Sequence, residues 1–123
     1  MVNNIAIIGA GVSGLTAGYA LRKLGASVDI YERSESVTEF GAGITLSKNA
    51  TSLLKELGLM DVLLKKGYQP MGSYIRDFKK AKIISYMEFD ENFITLDRRD
   101  LVEQLSNKFF EIGGNIFFGK DIQ

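Results

Sequence analysis

Gly9, Gly11 and Gly14 stand in the spacing G-x-G-x-x-G, and Glu32 follows Gly11 by 21 residues. Each glycine has its own task in such a run. The first permits a tight turn, the second lets backbone come close to a ligand, and the third brings a helix against a strand. Amides at the start of a helix, here Val12 and Ser13, have no partner inside the helix and point outward. The chemistry on offer is therefore the grip of main-chain N–H groups on a diphosphate. An acid at the tip of the next strand accepts hydrogen bonds from ribose hydroxyls, and Glu32 fills that place. With 13 glycines in 123 residues, the bare glycine spacing arises by chance in about one such chain in seven. The surrounding elements carry the specificity.

Those elements are legible. Ile5–Ile8 is a short β-branched run, the pattern becomes helical from Val12, and Gly9–Gly11 sits at the change. The helix is expected from Val12 to Leu24, with Arg22 and Lys23 complementing its dipole and Gly25 as its stop. Gly14, Ala17, Gly18 and Leu21 share one face, expected to approach the sheet. Val28, Ile30 and Tyr31 supply a second strand that ends at Glu32. The uncharged window Val2–Leu21 is long enough for a membrane span. Its glycines, the absence of a leading basic residue and the mid-window change of period argue instead for strand, turn and helix.

Downstream, Ser34–Phe40 is polar, and Gly41-Ala42-Gly43-Ile44 suggests either backbone approaching a ligand or a flexible loop. Asn49 is expected to cap a helix over Ala50–Leu57 with Leu53, Leu54 and Leu57 inward; a shorter helix follows over Met60–Lys66. Tyr74–Phe78 and Ile83–Met87 read as a hairpin around Lys79, Lys80, Ala81 and Lys82. Phe93–Leu96 reads as a strand, and Arg98-Arg99-Asp100 opens a helix with Leu101, Leu105, Phe109 and Ile112 at helical spacing. Arginines at a helix N-terminus oppose the dipole, which calls for either an acidic partner or a ligand phosphate. Gly113-Gly114 ends this helix, and Ile116–Phe118 is expected as a third, buried parallel strand.

A chain of 123 residues can bury roughly two-thirds of its unfolded surface, so it is expected as one domain with a real core. Fifteen basic and fifteen acidic residues give zero net charge, which argues against nucleic acid as a partner. The sequence has no Cys and no His, hence no disulfide, zinc cluster, thiol nucleophile or imidazole base. Its only proline is Pro70, and no linker or repeat divides it.

Four segments together carry a family resemblance: Ile7–Leu15, Tyr31-Glu32-Arg33, Gly41–Ile44 with Leu46 and Asn49, and Arg98–Leu101. In this order they resemble the N-terminal part of the single-component FAD-dependent aromatic monooxygenases, the group of salicylate, 4-hydroxybenzoate and ubiquinone-biosynthesis hydroxylases. The resemblance implies an α/β fold, a Rossmann-like FAD-binding βαβ unit with a parallel sheet and an inserted β-hairpin. It implies that Gly9, Gly11, Val12, Ser13 and Gly14 hold the FAD pyrophosphate, that Glu32 binds the adenosine ribose and that Arg33 lies near the adenosine end. Gly43 and Ile44 would pass beside the flavin, Arg98 would contact the phosphates or ribityl chain, and the hairpin 71–87 would join the substrate-side sheet. Lys48 stands where the family commonly has proline, and Asp97 where histidine is frequent.

By the same resemblance, NAD(P)H is the co-substrate and a small aromatic ring is hydroxylated through a flavin hydroperoxide, the cofactor carrying the chemistry. The resemblance names no catalytic side chain; no metal and no transmembrane segment is expected, and the cytoplasm is the expected location. The family's later Asp-Gly and Gly-Asp motifs do not occur before Gln123, so the sequence reads as truncated. The alternative is a stand-alone or truncated dinucleotide-binding module without catalysis of its own. A related halogenase or prenyl reductase, or NAD in place of FAD, would share the first fingerprint. Self-association through the uncovered edge of the first strand is expected in a three-stranded sheet.

Overall fold

The first β-branched run pairs in parallel with the strand that ends at Glu32, and the glycine corner lies where the first strand hands over to a helix. A computed structural model describes residues 4–37 and 41–123; the last three positions of the polar run Ser34–Phe40 lie outside the described residues. In chain order the elements are β1 (Asn4–Ile8), α1 (Val12–Lys23), β2 (Ser27–Tyr31), β3 (Gly43–Leu46), α2 (Lys48–Glu56), α3 (Met60–Leu64), β4 (Gly72–Arg76), β5 (Ile83–Glu88), β6 (Ile94–Asp97), α4 (Arg98–Glu111) and β7 (Asn115–Phe117). They form two compact units, residues 1–42 with 97–123, and residues 43–96. The second is inserted into the first, and both boundaries fall at the ends of strands, where no linker composition marks them.

The first unit is a parallel sheet in the order β1-β2-β7, with α1 and α4 packed together. Ile5 pairs with Val28 and Ile7 with Ile30, and on the other side of β2 Ile30 pairs with Ile116. Val28, Ile30, Leu15, Leu101, Leu105 and Phe109 are all but sealed from solvent. Each such side chain contributes about 1.5–3 kcal/mol of hydrophobic stabilisation. The buried stripe of α1 is Leu15, Gly18 and Tyr19, whereas Ala17 is exposed. Gly18 explains the shift of face: a Cβ there would lie 3.0 Å from Ile30 Cδ1 and 3.1 Å from the Phe109 ring. The helix thus seats between sheet and α4 through its smallest residue. Arg22 Nε donates to the Ile112 carbonyl (3.1 Å), tying the last turn of α1 to the end of α4. Gly25 stops α1 at a positive φ of 91°.

β7 is the outer strand and less buried than its apolar sequence suggests. Phe117 is 40% exposed, and its ring stacks on Tyr31 with centroids 5.2 Å apart. A parallel strand is sealed only when both faces are covered.

The second unit holds a two-stranded β3-β6 sheet, the short helices α2 and α3, and the β4-β5 hairpin. Its core is Leu46, Thr51, Leu54, Leu59, Leu63, Ile94 and Leu96. Helix α2 begins at Lys48 with Ser47, not Asn49, in the cap position. Its buried positions are Thr51 and Leu54, which share one face, and Leu53, about 100° around the helix from Leu54, is 49% exposed. The glycine-rich segment at Gly43 opens β3, a strand its composition does not announce. The first hairpin strand stops at Arg76, since the Asp77 carboxylate captures the turn amides of Lys79 (3.1 Å) and Lys80 (2.7 Å). Among the described residues, no helix is long and apolar enough to cross a membrane.

Candidate functional site

The site grows from the ends of β1 and β2. Gly9 N–H donates to the Tyr31 carbonyl (2.8 Å), which continues the parallel ladder one residue past β1. Gly9 then turns at a φ of 98°, a conformation that a side chain disfavours. Gly11 caps α1 in an extended conformation and its carbonyl accepts the Leu15 N–H (3.0 Å). The amides of Val12, Ser13 and Gly14 therefore precede the helical ladder and form its positive end. No acid lies in this first turn. Gly14 has no room for a side chain, because a Cβ would run into the carbonyl oxygen of Gly9. The corner is a cradle closed by backbone.

Glu32 reaches back to this corner. One carboxylate oxygen accepts the Ala10 N–H (2.7 Å) and the other accepts the Ser34 N–H (2.9 Å). Those two amides, Ser34 first and Ala10 second, hold its carboxyl below the usual carboxylate range against the opposing effect of burial. Each oxygen keeps a further lone pair for a hydroxyl donor. Beside it opens a cleft of about 300 Å³ lined by Ile8, Gly9, Tyr31, Glu32, Arg33 and, from the chain after β7, Lys120, Asp121 and Ile122. That volume suits a nucleoside. The residues after β7 carried no signal in their own types. They could have been found from topology, because the third parallel strand must end beside the second at the ligand edge.

At the start of α4, Asp97 accepts the Arg99 N–H (2.8 Å) and pairs with the Arg99 guanidinium (2.7 Å). This ion pair lowers the Asp97 pKa and raises that of Arg99. The acidic partner demanded by two arginines at a helix N-terminus is thus found for Arg99. Arg98 is half-buried and its N–H donates to the Ala42 carbonyl (3.0 Å), which joins two of the sequence motifs inside the first unit.

The first unit thus holds Gly9, Gly11, Val12, Ser13, Gly14, Glu32, Arg33 and Arg98, with the corner and Glu32 in direct contact. Gly43 and Ile44 open β3 of the second unit. Among the described residues, no cluster of acids could hold a metal ion.

A parallel sheet, a backbone-lined glycine corner at a helix start and an acid closing the next strand define a dinucleotide-binding α/β protein. The chain belongs to the FAD-binding domain family, whose pattern matches residues 3–121. It is similar to the 6-hydroxynicotinate 3-monooxygenase of Pseudomonas fluorescens, with 29% identity over 89% of this chain and 31% of that protein. It is also similar to the 3-amino-4-hydroxybenzoate 2-monooxygenase of Streptomyces cremeus, 44% identical over 51% of this chain and 16% of that protein. Among solved structures, a tetrameric form of 2-methyl-3-hydroxypyridine-5-carboxylic acid oxygenase superposes with a TM-score of 0.87 at 28% identity, covering 96% of this chain and 32% of that one. The chain spans about a third or less of the length of these relatives. The α/β fold and the resemblance to FAD-dependent monooxygenases are borne out.

Proposed function

We propose that this chain is the FAD-binding portion of an NAD(P)H-dependent monooxygenase that hydroxylates a small aromatic ring. The observation that carries it is the closed glycine corner, with Glu32 bonded to its Ala10 amide beside a nucleoside-sized cleft. In this reading the amides of Val12, Ser13 and Gly14 hold the pyrophosphate, and Gly9 and Gly11 let it approach. Glu32 accepts the ribose hydroxyls, and Arg33 lies at the adenosine end. Arg98 reaches the phosphates or ribityl chain, Gly43 and Ile44 run beside the flavin, and the hairpin 71–87 belongs to the substrate-side sheet. FAD, when bound, would supply the redox chemistry that takes electrons from NAD(P)H and activates dioxygen. The chain's own residues bind, orient and exclude water.

The relatives' names support a nitrogen heteroaromatic or hydroxybenzoate-like ring as substrate class. Partial coverage of those relatives supports a second reading, a dinucleotide-binding module without catalysis of its own. One experiment separates the readings. FAD is titrated into the purified chain with flavin fluorescence as readout, and NAD(P)H oxidation is followed with such rings present. Saturable binding that Gly11→Val abolishes is expected. Unchanged flavin binding in Gly11→Val would overturn the pyrophosphate assignment, and binding without NAD(P)H oxidation favours the module. The outer edge of β1, open in the described sheet, supports weak FAD affinity and some self-association along that strand.

A further inference from the structure

The turn between β4 and β5 gathers charge of one sign. Residues 76–82 hold Arg76, Lys79, Lys80 and Lys82 against one acid, and that acid, Asp77, is the only one between Asp61 and Glu88. The chain as a whole is neutral, so the excess is local. All four cations are exposed, whereas Asp77 is half-buried. One oxygen of its carboxylate accepts the Lys79 and Lys80 amides (3.1 and 2.7 Å), so its charge is turned onto its own backbone. Three more bonds set the loop. Asp77 N–H donates to the Lys82 carbonyl (2.8 Å), Ala81 N–H donates to the Asp77 carbonyl (2.9 Å), and the Arg76 guanidinium donates to the Ala81 carbonyl (3.2 Å). Docking such a preorganised turn orders little further backbone.

Phe78 stands among these cations and is 99% exposed. A ring this bare gains nothing from burial in the fold, and it gains by leaving water for another apolar phase. Cations around one bare ring match the boundary of an anionic bilayer, where the cations meet headgroups and the ring enters beside the acyl chains. A nucleic-acid strand is followed instead by a groove with successive stacking rings. We propose that the 76–82 turn docks this protein on an anionic lipid surface, with Phe78 entering the headgroup boundary and Arg76, Lys79, Lys80 and Lys82 meeting the headgroups. The contact is with the surface of the bilayer and needs no membrane-crossing helix. It uses the turn alone and leaves the edges of β4 and β5 to the substrate-side sheet proposed above.

The test is co-sedimentation of the 123-residue chain with vesicles of phosphatidylcholine alone or of equal parts phosphatidylcholine and phosphatidylserine, with circular dichroism to check that each variant folds. Binding to the mixed vesicles only, weakening as salt is raised, is expected. Lys79→Gln/Lys80→Gln should weaken it about 25-fold, at about fivefold for each charge. Phe78→Ser should weaken it about tenfold. Lys55→Gln/Lys65→Gln removes the same charge from other exposed positions of the unit and should stay within about threefold of wild type. The sequence has no Trp, so Phe78→Trp carries a lone reporter whose emission should move to shorter wavelength on the mixed vesicles. Absent binding, equal binding to both vesicles, an equal loss in Lys55→Gln/Lys65→Gln, or unshifted Trp emission would each overturn the proposal. Tighter binding of a single-stranded oligonucleotide, weakened by Phe78→Ser, would overturn it in favour of nucleic acid. None of these results bears on the FAD reading, which rests on the other unit.

Discussion

Around the glycine corner almost every group is committed: Gly9 to β2, Glu32 to Ala10 and Ser34, and Gly18 to the tight seat between Ile30 and Phe109. Along the hairpin the reverse holds. Phe78 at its tip is 99% exposed, Met71 at its base 84%, and neither face of β5 is covered. The two regions are comparably apolar in sequence. What separates them is cover: α1 lies over the parallel sheet with α4 packed against it, whereas the described residues of the hairpin strands pack mainly on one another. Apolar residues stabilise a fold only where a second layer removes them from water.

The contrast predicts a graded series of losses. Phe109→Ala, which empties the space under Gly18 and Gly114, is expected to cost about 3–5 kcal/mol in chemical denaturation. Gly14→Ala drives a Cβ into the Gly9 carbonyl, and displacement of the helix start is expected to cost about 1–3 kcal/mol together with most FAD affinity, read by flavin titration. Glu32→Ala frees two amides and is expected to weaken FAD binding about tenfold, in line with ~1.5 kcal/mol for a charge-assisted hydrogen bond.

The same carboxylate sets a pH limit. Its pKa lies below the ordinary value of 4.5, so its stabilising contribution is present above the carboxylate range. That contribution is lost as pH falls through the lowered value, and Glu32→Gln should flatten this acid limb in a pH series of thermal unfolding. At the small end, Phe78→Ser should change stability by no more than about 0.5 kcal/mol. A large loss there would show that the hairpin tip is covered in solution and break the contrast.

The glycine corner was legible because its determinants are local. Gly9, Gly11, Gly14 and Glu32 are set by a turn, a cap and a strand end that lie within thirty residues. Helix ends at Gly25 and Gly113 were equally local, both at positive φ. Tertiary context decided the rest. Ala17 faces out because Gly18, not its neighbour, meets Phe109 from a helix 90 residues on. β3 was hidden by its glycine, since its pairing with β6 is long-range. Leu53 and Phe117 are apolar yet exposed, and composition cannot say which apolar residues lack a lid.

The hydrogen bond from Arg98 N–H to the Ala42 carbonyl closes the neck of the insertion. Among the described residues, the chain leaves the first unit after Ala42 and rejoins it at Asp97, beside this peptide-to-peptide contact. A splice of a few residues between 42 and 97 therefore asks for no rerouting of the path that remains. The β1-β2-β7 sheet and its glycine corner are then threaded entirely by the residues on either side of the insertion.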